Sequence, residues 1–94
     1  MPSNDLIGRI GNLSDNLRKQ MESNLPSIDS EIEEIISRKD ESVERIEWLL
    51  DTLLDYMNLG VGESEFKKLN KYYASFNKEN ADAYNGFYQE LKKG

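Results

Sequence analysis

The sequence contains no cysteine and no histidine. Without cysteine it has neither disulfides nor thiolate nucleophiles, and without both residue types a zinc site of the usual kind cannot form. Histidine is also the side chain that most often exchanges protons near neutral pH. The chemistry that remains is that of carboxylates, lysine, tyrosine and serine, so the sequence predicts a protein that is not an enzyme and holds no cofactor.

Long hydrophobic runs are missing as well. No stretch approaches the roughly 18 apolar residues of a membrane-spanning helix, and the opening MPSNDLIGRI has neither the basic nor the apolar region of a secretory signal. We therefore expect a cytoplasmic protein with no membrane partner. Basic residues are also in the minority, 12 against 18 acidic ones, for a net charge of -6. Since nucleic-acid binding depends on clustered lysine and arginine, no nucleic-acid partner is expected.

What the chain does contain is helical periodicity. Its 94 residues allow one domain, residues 1–94, and 37% of them are hydrophobic, which is enough to form a core. Apolar residues recur at intervals of three and four along most of the chain, a spacing typical of amphipathic helices. The predicted fold class is therefore all-α, a small helical bundle.

The first helix is predicted over residues 3–24. Ser3 is suited to cap its start. Pro26 disfavours helical geometry at Leu25, so we expect the helix to end near Asn24. Its apolar stripe consists of Leu6, Ile10, Leu13, Leu17 and Met21.

A long central helix is predicted over residues 28–58, and it forms an N-terminal hairpin with the first helix. Its apolar positions are interrupted only by the polar segment 37–42. Nothing in that segment forbids a helix, and Glu41 with Arg45 has the favourable four-residue order of an acidic and a basic side chain. The alternative is a break near Asp40.

A pair of short C-terminal helices is predicted over residues 64–77 and 80–92. Gly60 is suited to the left-handed position that ends the helix before them. Aromatic residues crowd this part of the chain, whereas the first third contains none. Five of them recur at helical spacing and are expected in the core, namely Phe66, Tyr73, Phe76, Tyr84 and Phe87.

Three further aromatic residues, Trp48, Tyr72 and Tyr88, fall off the principal apolar stripes. Exposed tryptophan and tyrosine are enriched in the hot spots of protein interfaces. We therefore predict that these three side chains bind a partner protein.

An acidic stripe follows the second helix, because Glu44, Glu47, Asp51 and Asp55 are spaced by three and four residues. Carboxylates are the ligands that Mg²⁺ and Mn²⁺ prefer, so the stripe indicates a metal-dependent hydrolase as one alternative. A two-metal site in a bundle needs a matching acidic set on a second helix, and the first helix supplies none. The favoured interpretation is a solvated helix face with no metal.

The length of the second helix predicts a homodimer. It would be about 45 Å long, whereas a compact chain of this size is only about 30 Å across. Its N-terminal half has only the first helix to cover it, and pairing two such hairpins into a four-helix bundle would bury both stripes. If the helix breaks near Asp40, the alternative is a monomer folded back on its aromatic residues. The predicted dimer interface is Leu6, Ile10, Leu13, Leu17, Ile28, Ile32, Ile35 and Ile36.

These expectations describe a non-enzymatic helical protein–protein interaction module that associates with itself and offers a further surface to another protein. Besides the hydrolase, one more alternative is open. A small acidic inhibitor of the immunity or antitoxin type would mask a basic target, and the isoelectric point of about 4.6 permits this.

Overall fold

The computed structural model describes the backbone of residues 2–93 and the side chains of residues 15–93. Over that span the chain forms four helices and no strand, which confirms the all-α class. Within the same span, no helix combines the length and the apolar character needed to cross a bilayer. The helices are α1 (Pro2–Ser37), α2 (Val43–Met57), α3 (Glu63–Ala74) and α4 (Lys78–Lys93).

The predicted end of the first helix is wrong, because α1 does not stop near Asn24 but continues through Pro26 to Ser37. A proline inside a helix removes one backbone hydrogen bond and costs about 3 kcal/mol. Tertiary contacts that form when the helix continues through Pro26 offset that cost. Leu25 packs against the core, and the Asn24 side-chain amide donates to the Tyr56 hydroxyl at 3.2 Å. The prediction that a helix ends before proline considers only local backbone geometry, so it does not include these tertiary contacts.

The predicted continuous helix over residues 28–58 is also wrong, and the alternative break near Asp40 is confirmed. Residues 38–42 separate α1 from α2. Lys39 takes the left-handed backbone conformation with φ of 55°, and the amide of Asp40 donates back to the carbonyl of Ile35 at 2.9 Å. This is a Schellman-type helix end, built without the glycine that usually marks it.

Polar side chains hold this turn in place. The Asp40 carboxylate accepts hydrogen bonds from the backbone amide of Ser42 at 2.9 Å and from the Arg45 guanidinium at 3.0 Å, and both lower the pKa of Asp40. The Tyr72 hydroxyl donates to the Asp40 carbonyl at 2.8 Å. Arg45 also reaches back to Glu31 on α1 at 3.0 Å. The turn is therefore tied to α1, α2 and α3 at once.

Two glycines shape the turn between α2 and α3. Gly60 has φ of 77°, the left-handed conformation predicted for it, and the following amide of Val61 donates to the Tyr56 carbonyl at 3.2 Å. Gly62 has φ of 91°, and a Cβ at this position would lie 2.9 Å from Cδ2 of Leu53. The left-handed conformation suits glycine, and any larger residue here would also have to displace the Leu53 side chain.

One hydrophobic core lies between the second half of α1 and the other three helices. The α2 face expected to be buried is buried, with Leu50 and Leu53 fully inaccessible. At the centre of α3, Phe66, Leu69 and Tyr73 are inaccessible as well. The buried residues that form the core cluster are Ile28, Ile32, Ile35, Ile46, Leu49, Leu50, Leu53, Phe66, Leu69, Tyr73, Ala81, Tyr84 and Tyr88.

One prediction for α4 is corrected. Phe87 was expected in the core but is 53% exposed, and its neighbour Tyr88 takes the buried place with 8% exposure. Ala81, Tyr84 and Tyr88 are spaced by three and four residues and therefore share the face that packs on α3. The remaining expected core aromatic, Phe76, packs against the core without being fully buried.

Part of the predicted dimer interface is also corrected. Ile28, Ile32 and Ile35 are buried in the core of the chain itself, with exposed fractions of 8%, 0% and 0%, and Ile36 packs beside them. Because the chain reverses direction after Ser37, α1 lies antiparallel to α2. Helix α3 then covers the apolar face of α1, which would be open if α1 and α2 formed one continuous helix. No second copy is needed to bury these isoleucines.

The N-terminal half of α1 extends beyond the bundle. Leu25 is the first described α1 residue that packs against the core, so the helix preceding it projects for about 34 Å. Over residues 15–24 every side chain is exposed except the half-buried Met21, and Leu17 is 49% exposed. The molecule is accordingly elongated, 56 by 27 by 19 Å. Three residues of the predicted interface have side chains outside the described part, namely Leu6, Ile10 and Leu13.

The substitution Pro26→Ala tests the continuity of α1. Alanine restores a backbone donor inside the helix, a gain of about 3 kcal/mol, while losing up to about 1 kcal/mol because proline also restricts the unfolded chain. The free energy of unfolding, measured by urea denaturation with circular dichroism, should therefore rise by about 2 kcal/mol. An unchanged or lower value would mean that the helix ends before Pro26.

Candidate functional site

The acidic stripe of α2 divides into an inner and an outer part. On the inner side two carboxylates face the phenols of the following helices. The Tyr73 hydroxyl donates to Glu47 at 2.6 Å, and the Tyr84 hydroxyl donates to Asp51 at 2.8 Å. The other two acidic residues of the stripe, Glu44 and Asp55, are exposed, as Asp51 is around its hydrogen bond to Tyr84. Half of the predicted stripe thus serves to pin α2 to α3 and α4.

Asparagines complete the network around Tyr73. The Asn80 side-chain amide donates to Glu47 at 3.1 Å and to the Tyr73 oxygen at 3.1 Å, and Asn77 donates to the same phenol oxygen at 3.2 Å. Burial raises the pKa of Tyr73 and of Tyr84, and the hydrogen bonds to their carboxylates raise it further. Both phenols therefore stay protonated and continue to donate across the physiological pH range.

The four carboxylates of the stripe do not converge on one point. Glu47 and Asp51 are engaged by phenols, while Glu44 and Asp55 lie on the solvent side of α2. Across residues 15–93, no group of three or more acidic side chains is arranged to hold a metal ion. The hydrolase alternative required such a group, and the described part of the stripe does not form one.

A second polar cluster lies at the end of the α3–α4 pair. Glu63 pairs with Lys92 at 2.8 Å and with Lys67 at 3.5 Å, and it accepts a hydrogen bond from the Tyr88 hydroxyl. The Lys92 ion pair first, and the phenol second, lower the pKa of Glu63 to about 2. The Tyr88 ring stacks on Phe66 at 5.7 Å, with the two ammonium groups 5.4 and 5.7 Å from its centre. Tyr88, predicted to bind a partner, is therefore a buried link between α3 and α4.

Hollows in the described surface are small. One, of about 190 Å³, lies beside the Glu63 cluster, and another, of about 260 Å³, lies between α3 and α4. Pockets that enclose a small organic ligand usually measure about 300 to 1,000 Å³. Neither hollow offers the enclosure of a substrate site, so protein surfaces are the better candidates for function.

Of the three predicted partner-binding residues, Trp48 alone is largely accessible. It is 64% exposed on α2. Tyr72 is half-buried, because its hydroxyl is bonded to the carbonyl of Asp40 and its ring packs edge-on against Phe76 at 5.4 Å. The accessible aromatic residue that the sequence reasoning missed is Phe87, 53% exposed on α4.

The hollow beside Phe87 is lined mainly by apolar and acidic residues, and acidic residues lie one and two turns from Trp48 along its face of α2. Asp55 lies on the same face of α2 as Trp48, two turns further on, and it lines a hollow that also contains Phe87. We call this surface the acidic aromatic face. It consists of Trp48 and Phe87, the half-buried Leu54 and Leu91, and the carboxylates of Glu44, Asp51 and Asp55.

The acid dependence of stability tests the Glu63 cluster. The pKa of Glu63 is lowered from 4.5 to about 2, so its ion pairs stabilise the fold above pH 4.5 and are lost as the pH falls towards 2. The free energy of unfolding should therefore fall less steeply in Glu63→Gln than in the wild type between about pH 5 and pH 2. Glu65→Gln is the matched control, because among the described side chains Glu65 bonds to the neighbouring Ser64 hydroxyl at 3.0 Å and to no lysine or arginine. Equal slopes for wild type and Glu63→Gln would contradict the cluster.

Comparisons with protein-family models, with curated proteins and with solved structures return no match to this chain. Its function is therefore inferred from its own surfaces. Two of them stand out by exposure and composition, namely the projecting half of α1 and the acidic aromatic face.

Proposed function

We propose that the protein is a non-enzymatic helical interaction module that associates with itself through the N-terminal half of α1. The observation that carries this proposal is the projection of α1 beyond the core, with Leu17 49% exposed on it. An isolated helix gains little stability from propensity alone, and most helices depend on packing of an apolar face. A second copy supplies that packing in the simplest way.

The spacing of the apolar residues fits such a pairing. Leu6, Ile10, Leu13 and Leu17 follow one another at intervals of four, three and four residues. This is the alternation of a coiled-coil seam, in which two helices bury a narrow apolar stripe against each other. The proposed interface is smaller than the predicted one, because the isoleucines after residue 25 belong to the core.

The distribution of charge also supports self-association through the N-terminal half of α1. Residues 2–24 carry three acidic and three basic side chains, so the whole net charge of -6 lies on the remainder of the chain. Two copies that meet along this segment avoid the repulsion between their acidic bundles. The described pair Arg18 and Glu22, 3.2 Å apart, shows both signs on consecutive turns of this segment.

The non-enzymatic part of the proposal is supported by what the carboxylates do. Glu47 and Asp51 accept hydrogen bonds from phenols, and Glu63 is paired with Lys92. Side chains engaged in this way stabilise contacts between helices, which is the role we assign to them.

Sedimentation equilibrium at tens of micromolar tests the self-association. The wild-type chain should show about twice its mass of 10.9 kDa. Leu17→Asp should return the mass to that of a single chain, because a carboxylate in a helix seam cannot be buried without a partner. Leu17 lies outside the core, so the variant should keep the cooperative unfolding transition of the bundle, while the helical circular dichroism signal of the projecting segment should decrease with the loss of its packing.

Lys19→Gln is the matched control. It changes the net charge by the same amount as Leu17→Asp, but two residues along a helix place it on nearly the opposite face. It should leave the mass of the dimer unchanged. A single-chain mass for the wild type at these concentrations would refute the proposal.

A further inference from the structure

We infer that the acidic aromatic face binds a basic segment of a second protein, one in which lysine or arginine flanks apolar side chains. This inference goes beyond the proposed self-association, because it concerns a different surface. It depends on the exposure of two aromatic rings, on the charge around them and on an arrangement that the chain already uses elsewhere.

The apolar part of the face consists of two exposed aromatic rings and the groove beside one of them. Trp48 and Phe87 are 64% and 53% exposed. The Phe87 ring lines a hollow together with Leu54 and Leu91. The apolar surface therefore extends from the ring into a groove between α2 and α4. Exposed aromatic rings beside a groove are typical of the anchoring points of protein interfaces.

The charge of the face selects a basic partner. Glu44, Asp51 and Asp55 lie four, three and seven residues from Trp48 and so flank it on α2. None of these three carboxylates takes part in an ion pair within the part of the chain whose side chains are described. The basic residue of α2, Arg45, is directed instead to Glu31 and Asp40. Glu44 and Asp55 are therefore available to a cation from another molecule, while Asp51 accepts the Tyr84 hydroxyl through one of its two carboxylate oxygens.

The Glu63 cluster shows what such a partner would contribute. At Tyr88, two lysine ammonium groups lie 5.4 and 5.7 Å from the ring centre, and both pair with the adjacent carboxylate of Glu63. Trp48 offers a better ring for a cation, with carboxylates beside it in the same way, but no lysine of the described chain pairs with those carboxylates. A basic segment would complete the arrangement.

A second copy is a poor occupant of this face. All of the net charge of -6 lies on residues 25–94, so a second bundle would bring like charge to the carboxylates around Trp48. The proposed pairing along α1 leaves the face free. Nucleic acid would be repelled for the same reason.

The single tryptophan makes the test direct, because all tryptophan emission comes from this face. The probe is a synthetic amphipathic helical peptide of leucine and lysine, and its control is the same peptide with glutamate at every lysine position. The lysine peptide should move the emission of Trp48 to shorter wavelength, with an affinity that falls as salt is added. The glutamate peptide should produce no shift.

Two variants locate the binding. Phe87→Ala and Asp55→Asn should each lower the affinity for the lysine peptide by about tenfold. The first substitution removes an anchoring ring, and the second removes a flanking charge. Glu79→Gln is the matched control for the loss of charge, because Glu79 is an exposed carboxylate on α4 outside the face, and it should keep the wild-type affinity. Leu17→Asp should also keep it, which separates this inference from the self-association.

Three outcomes would overturn the inference. One is the absence of an emission shift with the lysine peptide. Another is an equal loss of affinity in Glu79→Gln and Asp55→Asn, which would mean that only the overall charge matters. The third is a shift to shorter wavelength as the protein alone is concentrated, retained in Leu17→Asp, which would assign the face to a second copy.

Discussion

The reversal of the chain between α1 and α2 depends on Arg45, which holds three acidic side chains of the turn and of α1 together. Its guanidinium lies 3.0 Å from both Glu31 and Asp40 and 3.9 Å from Glu34. The Tyr72 hydroxyl fixes the same turn from α3. An Arg45 network of this kind is stronger than an isolated surface pair, because its side chain is about two-thirds buried and meets several carboxylates at once.

Because the chain reverses here, the molecule has two parts, a compact bundle and a projecting N-terminal half of α1. The isoleucines of α1 after residue 25 turn inward and complete the core, while over residues 15–24 the side chains are exposed except for the half-buried Met21. That projecting part is neutral, and the bundle carries the entire net charge of -6. We propose accordingly that the neutral helix meets a second copy and that the acidic bundle meets a basic partner. The two surfaces differ in chemistry and do not compete.

Periodicity predicted the helical class and the buried face of α2, because both depend on spacing alone. It could not predict that the cost of Pro26 is offset by contacts with a helix 30 residues away. Nor could it locate the turn, since Lys39 adopts a left-handed conformation that usually requires glycine. Phe87 and Tyr88 are neighbours and both fit a helical stripe, and the choice between them depends on Glu63, which bonds the Tyr88 hydroxyl from another helix. Of the candidate site, therefore, Trp48 was predictable and its aromatic companion was not.

The reversal itself is tested most directly by the distance between spin labels on Ser27→Cys and Thr52→Cys, a pair that is specific because the natural chain has no cysteine. In the antiparallel hairpin the two positions lie at about the same level of adjacent helices, between the contacts Glu31–Arg45 and Asn24–Tyr56. The axes of packed helices are about 10 Å apart, so the labels should lie within about 20 Å of one another. A continuous helix through the turn would separate them by about 38 Å. Electron–electron double resonance on the labelled chain, diluted with unlabelled protein, should give the short distance, and the long distance would contradict the fold described above.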